Sequence, residues 1–477
     1  MELKTPGGDS VSLIVSSLRK NFDEGITRDL AFRFQQLDGI GRFLLDCEQA
    51  IYEAIQRDLG RAPCEALIGD IFLPLQELKY TKENLSKWAK PEKAPSPLAM
   101  QPAFSKVYKE PRGVVLIFGT WNFPITLTLT PLIGAIAAGN CIILKCSEVA
   151  SHSSRLLASR LPQYIDRRCL QIMEGDASLA TSLLRERFDA IFYTGNKRVG
   201  RIILEAAAKH LTPVTLELGG KCPCIIDNNT DIKTTARRIV FGKFVNAGQI
   251  CVAPDYLLVH ESIETELLFQ IKKALEEFYG NDPMLSSSFS RIINQHNFQR
   301  LLPFLTENGD IVVGGKVDQE TCYIAPTVLK NVRKDAPIMQ EEVFGPILPV
   351  IRVKDIDEAI AFVNTKEKPL ALYLFTESST VREKVINNTS SGGVGINCIG
   401  FHSVSSTLPF GGVGASGMGS YHGKATFDFF SHHKSVMLHP IKFDLKIFYP
   451  PYTITKFKWI RRLLLMLYRP NLNRKNN

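Results

Sequence analysis

Two short apolar runs with an apolar, small-residue stretch between them constrain this chain more than any other feature. Residues 114–119 read VVLIFG and 127–138 are apolar with small residues; 141–145 read CIILK after the breaker Gly139-Asn140. A short apolar run closed by glycine suits a strand buried on both faces, and the longer stretch suits a packed helix. Strand, helix and strand in that order form the unit of a parallel sheet. The run 189–194 (DAIFYT) repeats the strand pattern, turns at Gly195 and leads into a predicted helix over 198–211, and further α/β pattern continues over 214–396.

At 477 residues the chain exceeds one core, because single cores stop growing near roughly 250–300 residues. With 45% hydrophobic and 22% charged residues it belongs with globular rather than disordered or fibrous chains. Residues 11–90 are predicted helical, with Ile14, Leu18, Phe32, Leu37, Ile40, Leu44 and Leu45 at helical spacing. The connector PEKAPSPLAMQP (91–102) is too proline-rich for a helix interior. Ten scattered cysteines and a start, MELKTPGGDS, without an apolar signal core lead us to expect reduced thiols and a cytoplasmic protein. No run reaches the about 20 apolar residues of a spanning helix. Of the net charge of +9, most sits at the end: from Pro440 onward nine Lys and Arg face one acid, Asp444.

Four constellations sit on this frame. YTGNKRVG (193–200) turns at Gly195 and puts Gly200 in a helix's first turn, where free N–H groups suit a pyrophosphate; a plain strand–turn–helix has the same letters. VTLELGGKCPC (214–224) sets Glu217 in an apolar strand, where desolvation makes a carboxylate a general base; a glutamate on an edge strand facing water fits too. FGTWNFP (118–124) puts Asn122 at a strand's carboxyl end, where an amide can hold an oxyanion, although asparagine favours turns anyway. MQEEVFGPILPV (339–350) offers acids for a ribose and Phe344 for a ring, or simply a solvated loop.

Gly412-Val-Gly414-Ala-Ser-Gly417 matches G-x-G-x-x-G, but it follows Pro409-Phe410 and a glycine-dense sequel will not start a helix, so we reject it as a cofactor loop. Cys222-Pro-Cys224 lacks a metal-ligand gap and a second pair; both read as structural thiols, and no metal is expected. Cys251 in FVNAGQIC is either a nucleophile or a packed thiol, the commoner fate of free cysteine.

Taken in order, WNFP, LKCSE, YTGNKRVG, VTLELGGK, GQIC, EEVFGP and PFGGVGASGMGSYHG resemble the aldehyde dehydrogenase superfamily over about residues 10–440, with Glu217 34 positions before Cys251. The short N-terminal lead and the closing PFGGVGASGMGSYHGKATFDFFSH are most similar to the class 3 branch, which includes fatty aldehyde dehydrogenase. The resemblance implies an α/β fold with a Rossmann-type cofactor domain (1–90 and 107–213) and an α/β catalytic domain (214–400). It also implies a small β oligomerisation flap (91–106 and 401–439), ahead of a basic tail (440–477).

The implied activity is NAD(P)-dependent oxidation of medium- to long-chain aliphatic or aromatic aldehydes to acids, by a homodimer. The Cys251 thiolate attacks the carbonyl, Asn122 and the Cys251 N–H hold the oxyanion, hydride leaves to the nicotinamide, and Glu217 activates the water that hydrolyses the thioester. Lys145 and Glu148 then lie by the adenosine ribose, Gly195 and Gly200 by the pyrophosphate, Glu342 on the nicotinamide ribose and Phe344 against it. Glu148 favours NAD, with NADP possible beside Lys145. The family usually has Pro where Cys146 stands and Ser where Cys222 stands; the extra thiols invite oxidation.

Two rivals remain. An enzyme passing the thioester to coenzyme A generally lacks the base that Glu217 supplies. A catalytically idle binding protein on the same fold need not keep Cys251, Glu217 and Asn122. In the tail, Phe457, Ile460, Leu464 and Leu467 form a stripe, with Lys458, Arg461 and Arg462 largely off it and Trp459 and Tyr468 beside it. Residues 455–468 suit peripheral contact at the cytosolic face of a membrane, or a helix docked on the body or a partner subunit. No nucleic-acid-binding module is present, and no nucleic acid is expected.

Overall fold

The pattern over 114–145 is realised nearly residue for residue in the computed structural model, which describes residues 8–97, 100–306, 308–444 and 446–468. Val114–Phe118 and Cys141–Lys145 are fully buried parallel strands, joined through the helix Thr126–Ala138. That helix stops where Gly139 takes φ +89°, in the left-handed region glycine tolerates best. Asn140 then stitches the junction. Its Oδ1 accepts from the Gly113 N–H at 3.0 Å, and its Nδ2 donates to the carbonyls of Ala135 and Phe430 at 3.1 and 3.0 Å.

These strands belong to a six-stranded sheet ordered Leu170–Met173, Cys141–Lys145, Val114–Phe118, Ala190–Gly195, Val214–Leu218, Gly417–Met418. All neighbours are parallel except the last pair. Strand order reverses between Val114–Phe118 and Ala190–Gly195, the kind of switch point at which open α/β sheets hold ligands. Val214–Leu218 is bonded into this sheet, so the sheets divide after Leu218 rather than before Val214. The glycine-dense run becomes Gly417–Met418, paired with Glu217 and Leu216; it closes the sheet's edge instead of opening a helix.

The second sheet runs Asp310–Val313, Thr327–Lys330, Ile347–Val353, Tyr256–His260, Pro223–Ile226, Ala371–Phe375, Gly393–Ile396, parallel except at Asp310–Val313. A small antiparallel sheet joins Glu92–Ala94 from the proline-rich connector to Phe104–Pro111 and Ser431–Leu438. In front lie the helices Gly8–Asp23, Leu30–Asp46 and Glu48–Leu59, and a helical stretch over 63–88 that widens at Leu67–Phe72. Leu18, Leu37, Ile40 and Leu44 of the predicted stripe are buried, and Leu45 is exposed.

The tail forms the helix Ile454–Tyr468. Phe457 and Leu464 of the stripe are exposed, as are Trp459, Leu465 and Met466, while Ile460 is half-buried. The side chains of Leu467 and Tyr468, and all residues from Arg469, lie outside the described residues. Among the described residues no helix is long and apolar enough to cross a membrane.

Candidate active site

Parallel strands end on one edge of a sheet, and this edge gathers the motifs. The Val114–Phe118 strand ends just before Trp121 and Asn122, and Lys145 ends its strand beside it. Gly195 ends the next strand, and Glu217 lies one residue from the end of Val214–Leu218. Lys145 pairs with Glu148.

Cys251 follows the helix Ile232–Phe244 and a turn of unusual backbone. Asn246, Ala247 and Gly248 take φ of 52°, 51° and 73°, three left-handed residues in succession. Such conformations cost free energy and persist only where surroundings impose them. Here Gln249 and Asn246 impose them. Gln249 Nε2 donates to the carbonyls of Asn246 (2.9 Å) and Arg291 (3.0 Å), and its Oε1 accepts from the Ile293 N–H (3.0 Å). A Cβ at Gly248 would fall 2.3 Å from the Gly345 carbonyl oxygen, so the turn admits only glycine there.

Asn122 reaches the same turn. Its Nδ2 donates to the Gln249 carbonyl at 3.1 Å, leaving one amide hydrogen free beside Cys251's loop. Its own carbonyl accepts from Asn246 Nδ2 at 3.0 Å and from the Arg61 guanidinium.

Glu217 is 2% exposed, and neither carboxylate oxygen has a hydrogen-bond partner among the described residues. Burial alone pushes its pKa well above the ordinary carboxylate range. The Cys251 thiol is pushed up to about 12, chiefly by burial and then by the nearby carboxylates of Glu342 and Glu217. The N–H groups of Cys251 and Val252 pull it the other way. The thiol is therefore the resting form, and its proton must leave as the sulfur attacks.

The chain matches the aldehyde dehydrogenase family model over residues 6–436. It belongs to the aldehyde dehydrogenase family. Human aldehyde dehydrogenase family 3 member B1 is 48% identical over 421 residues, 88% of this chain and 90% of that protein. The dog protein named aldehyde dehydrogenase, dimeric NADP-preferring, is 46% identical over 443 residues, 92% of this chain and 98% of that one. A solved structure titled as the substrate-bound state of Staphylococcus aureus AldH superposes with a TM-score of 0.92 at 41% identity, covering 95% of this chain and 99% of that one. The chain is thus an NAD(P)-dependent aldehyde dehydrogenase.

The residues suit such a cofactor. A Cβ at Gly219 would fall 2.1 Å from a Glu342 carboxylate oxygen, so the glycine makes room for that carboxylate at the strand's end. Burial, then Asp255, pushes Glu342 up to about 8, against the Gly220 N–H, which lowers it. The Phe344 backbone takes φ +44°, and its ring meets Trp121 edge-on at 5.3 Å. Gly195 has no room for a Cβ, which would fall 2.2 Å from the Tyr193 hydroxyl. A Cβ built at Gly200 would fall 3.1 Å from Leu218, so its smallness allows close packing of helix on strand.

Several groups that build this dehydrogenase's site were missed. Lys221 pairs with Asp255 and donates to the carbonyls of Ile338 (2.7 Å) and Glu341 (2.9 Å), while Asp255 Oδ1 accepts from the Val343 N–H at 2.8 Å. Arg300 donates to the carbonyls of Glu342 (3.3 Å) and Val343 (2.7 Å). Together they hold the Glu342–Phe344 loop against the glycines. Lys221 and Gln249 stood inside quoted motifs and were legible there; Asp255 and Arg300 carried no local signal.

Proposed function

We propose that Cys251 is the nucleophile, Glu217 the general base of deacylation, and Asn122 with the Cys251 N–H the oxyanion donors. The observation that carries this is Glu217, a buried carboxyl with no partner, close enough to Cys251 to raise its pKa. Buried polar groups are almost always paired, so an orphan held at a cost beside a thiol is accounted for by chemistry.

The Cys251 thiol loses its proton to water as the sulfur attacks the aldehyde carbon. The carbonyl oxygen of the thiohemiacetal carries the new charge, and the free Asn122 amide hydrogen and the Cys251 N–H meet it. A bound nicotinamide cofactor supplies the hydride acceptor. Glu217 then removes a proton from the water that attacks the Cys251 thioester and passes it to the departing sulfur, so that the acid is released and the thiol restored, the net proton being the one lost to solvent at the first step. The same base argues against transfer to coenzyme A.

Lys145 and Glu148 are the proposed contacts of the adenosine ribose, Gly195 and Gly200 of the pyrophosphate, and Glu342 and Phe344 of the nicotinamide ribose. Glu148 favours NAD, although the dog relative is NADP-preferring by name. Medium- to long-chain aliphatic or aromatic aldehydes are the proposed substrates. Residues 1–90 and 107–213 are the proposed cofactor domain and 214–400 the proposed catalytic domain, the Val214–Leu218 strand that carries Glu217 bridging the two. The small antiparallel sheet serves a homodimer, supported by the dog relative's name and by the exposure of every residue after Ser431 on Ser431–Leu438. The exposed Phe457, Trp459 and Leu464 beside Lys458, Arg461 and Arg462 suit a helix lying on a cytosolic membrane surface.

The test is a Glu217→Gln enzyme given aldehyde and NAD. It should form about one equivalent of NADH per site and then stall, with the acyl group trapped on Cys251 by mass spectrometry. Steady turnover at the parent rate would remove Glu217 from deacylation.

A further inference from the structure

Cys222 is fully buried directly after the Glu217–Lys221 motif, and it touches the nucleophile's turn twice. Its carbonyl accepts from the Asp255 N–H at 2.8 Å, and its thiol donates to the Cys251 carbonyl at 3.4 Å. The sulfur also accepts from the Ala371 N–H at 3.4 Å, which seats it on the second sheet. One residue away, the Tyr373 hydroxyl donates to the Val252 carbonyl at 2.6 Å. Two successive carbonyls after the nucleophile are therefore held from the side of the second sheet.

In a trans peptide the C=O and N–H point opposite ways. Holding the Cys251 carbonyl toward Cys222 turns the Val252 N–H of the same peptide away from it. We infer that Cys222 is a positioning residue for the nucleophile, its thiol and carbonyl stapling both ends of the Cys251–Asp255 turn so that the peptide after Cys251, and with it the direction of the Val252 N–H, is fixed. This rests on the assignment of Cys251 as nucleophile. Burial keeps the Cys222 thiol protonated, as a donor must be, and the Val252 N–H is one of the two groups that favour the Cys251 thiolate. Position 222 thus needs a side chain that donates and accepts at once. A thiol or a hydroxyl does so, which accounts for serine, the usual residue here in the family; alanine does neither.

The experiment follows alkylation of Cys251 by iodoacetamide in the full chain without cofactor, read by peptide mass spectrometry against pH. Cys222→Ala should displace the rate profile to higher pH by about one unit, making alkylation about tenfold slower at a given pH. Cys222→Ser should restore the parent profile, and Tyr373→Phe, which removes only the hydroxyl, should shift it in the same direction by less. Loss of thermal stability with unmoved profiles in Cys222→Ala and Tyr373→Phe would make Cys222 a packing residue and overturn the inference. If Cys222→Ala does not fold, the other two variants decide: an unmoved Tyr373→Phe profile together with a displaced Cys222→Ser profile would also overturn it. Cys251→Ala separates the layers, since aldehyde oxidation surviving in it removes the nucleophile assignment itself, whereas an inactive Cys251→Ala with unmoved profiles overturns the stapling alone.

Discussion

Asp70 and Glu217 are both fully buried carboxyls at this site, and the fold treats them in opposite ways. Asp70 pairs with Arg61, itself buried, and accepts the N–H groups of Ile125 and Thr126 at 3.1 Å each, where the Thr126–Ala138 helix begins. Arg61 spends its other hydrogens on the Asn122 carbonyl and on Asn246 Oδ1 at 3.2 Å, and its guanidinium lies 4.3 Å over the Phe123 ring. Glu217, near the end of the Val214–Leu218 strand, has no such company among the described residues. Burial raises both pKa values, but the Arg61 charge and three hydrogen bonds oppose the rise at Asp70, and nothing opposes it at Glu217. The satisfied carboxyl fixes where Asn122 sits; the unsatisfied one stays free to move a proton. In the proposed mechanism, pairing marks the residues that locate the chemistry, and its absence marks the one that performs it.

The sharpest way to break this contrast is Glu217→Gln. Turnover should fall by about 10²–10⁴-fold, the range for removing a general base. Stability should move the other way, with a sign fixed by linkage. The native carboxyl keeps its proton above the ordinary value near 4.3, where the unfolded chain has lost it, so the parent loses stability as pH rises through that window. Glutamine does not titrate, so the variant's advantage should grow with pH above about 4.3. Thermal melts at several pH values check this, and a constant difference would show that Glu217 is not perturbed.

Arg61→Ala attacks the other member of the pair. It leaves Asp70 buried without its counter-charge, a loss of about 3–5 kcal/mol read by urea unfolding. Turnover should fall as well, because the Asn122 carbonyl loses a partner. A stable variant would mean that the two N–H groups suffice for Asp70.

The two halves of this contrast were unequally legible in the sequence. The strands over 114–118 and 141–145 were readable because glycine and asparagine punctuate apolar runs too short for helices. Glu217, Cys251 and Asn122 were readable because each lies in a motif with fixed letters around it. Arg61 and Asp70 were not: on a helical segment rich in charge they look like solvated surface, and only tertiary contacts with Asn122 and Asn246 bury them. The role of Gly417–Met418 was equally hidden, since antiparallel pairing with Leu216 and Glu217 joins residues about 200 positions apart. The packing of Gly200 on Leu218 was hidden too, because turn glycines and packing glycines share one letter.

Gly219→Ala probes the cofactor side more gently. The added methyl would meet the Glu342 carboxylate at 2.1 Å, so carboxylate or strand end must shift. A displacement near 1 Å costs on the order of 10–100-fold in kcat/KM for the cofactor. Because the Glu217 strand itself is intact, the stalled acyl-enzyme should not accumulate, and a rise in KM for NAD(P) with an unchanged deacylation rate separates the two effects.

The smallest expected effect lies at Glu148, whose ion pair with Lys145 is partly exposed. Exposed pairs contribute little, about 0–1 kcal/mol, so Glu148→Ala should leave the melting curve nearly unmoved. Cofactor choice should respond instead. A carboxylate accepts the ribose 2′-hydroxyl of NAD and repels the 2′-phosphate of NADP, and its removal also frees Lys145 for a phosphate. The ratio of kcat/KM for NADP to that for NAD should rise by about tenfold, close to the worth of one charge-assisted hydrogen bond. An unchanged ratio would place cofactor selection elsewhere on this edge, and would show that this pair, unlike Arg61 and Asp70, locates nothing.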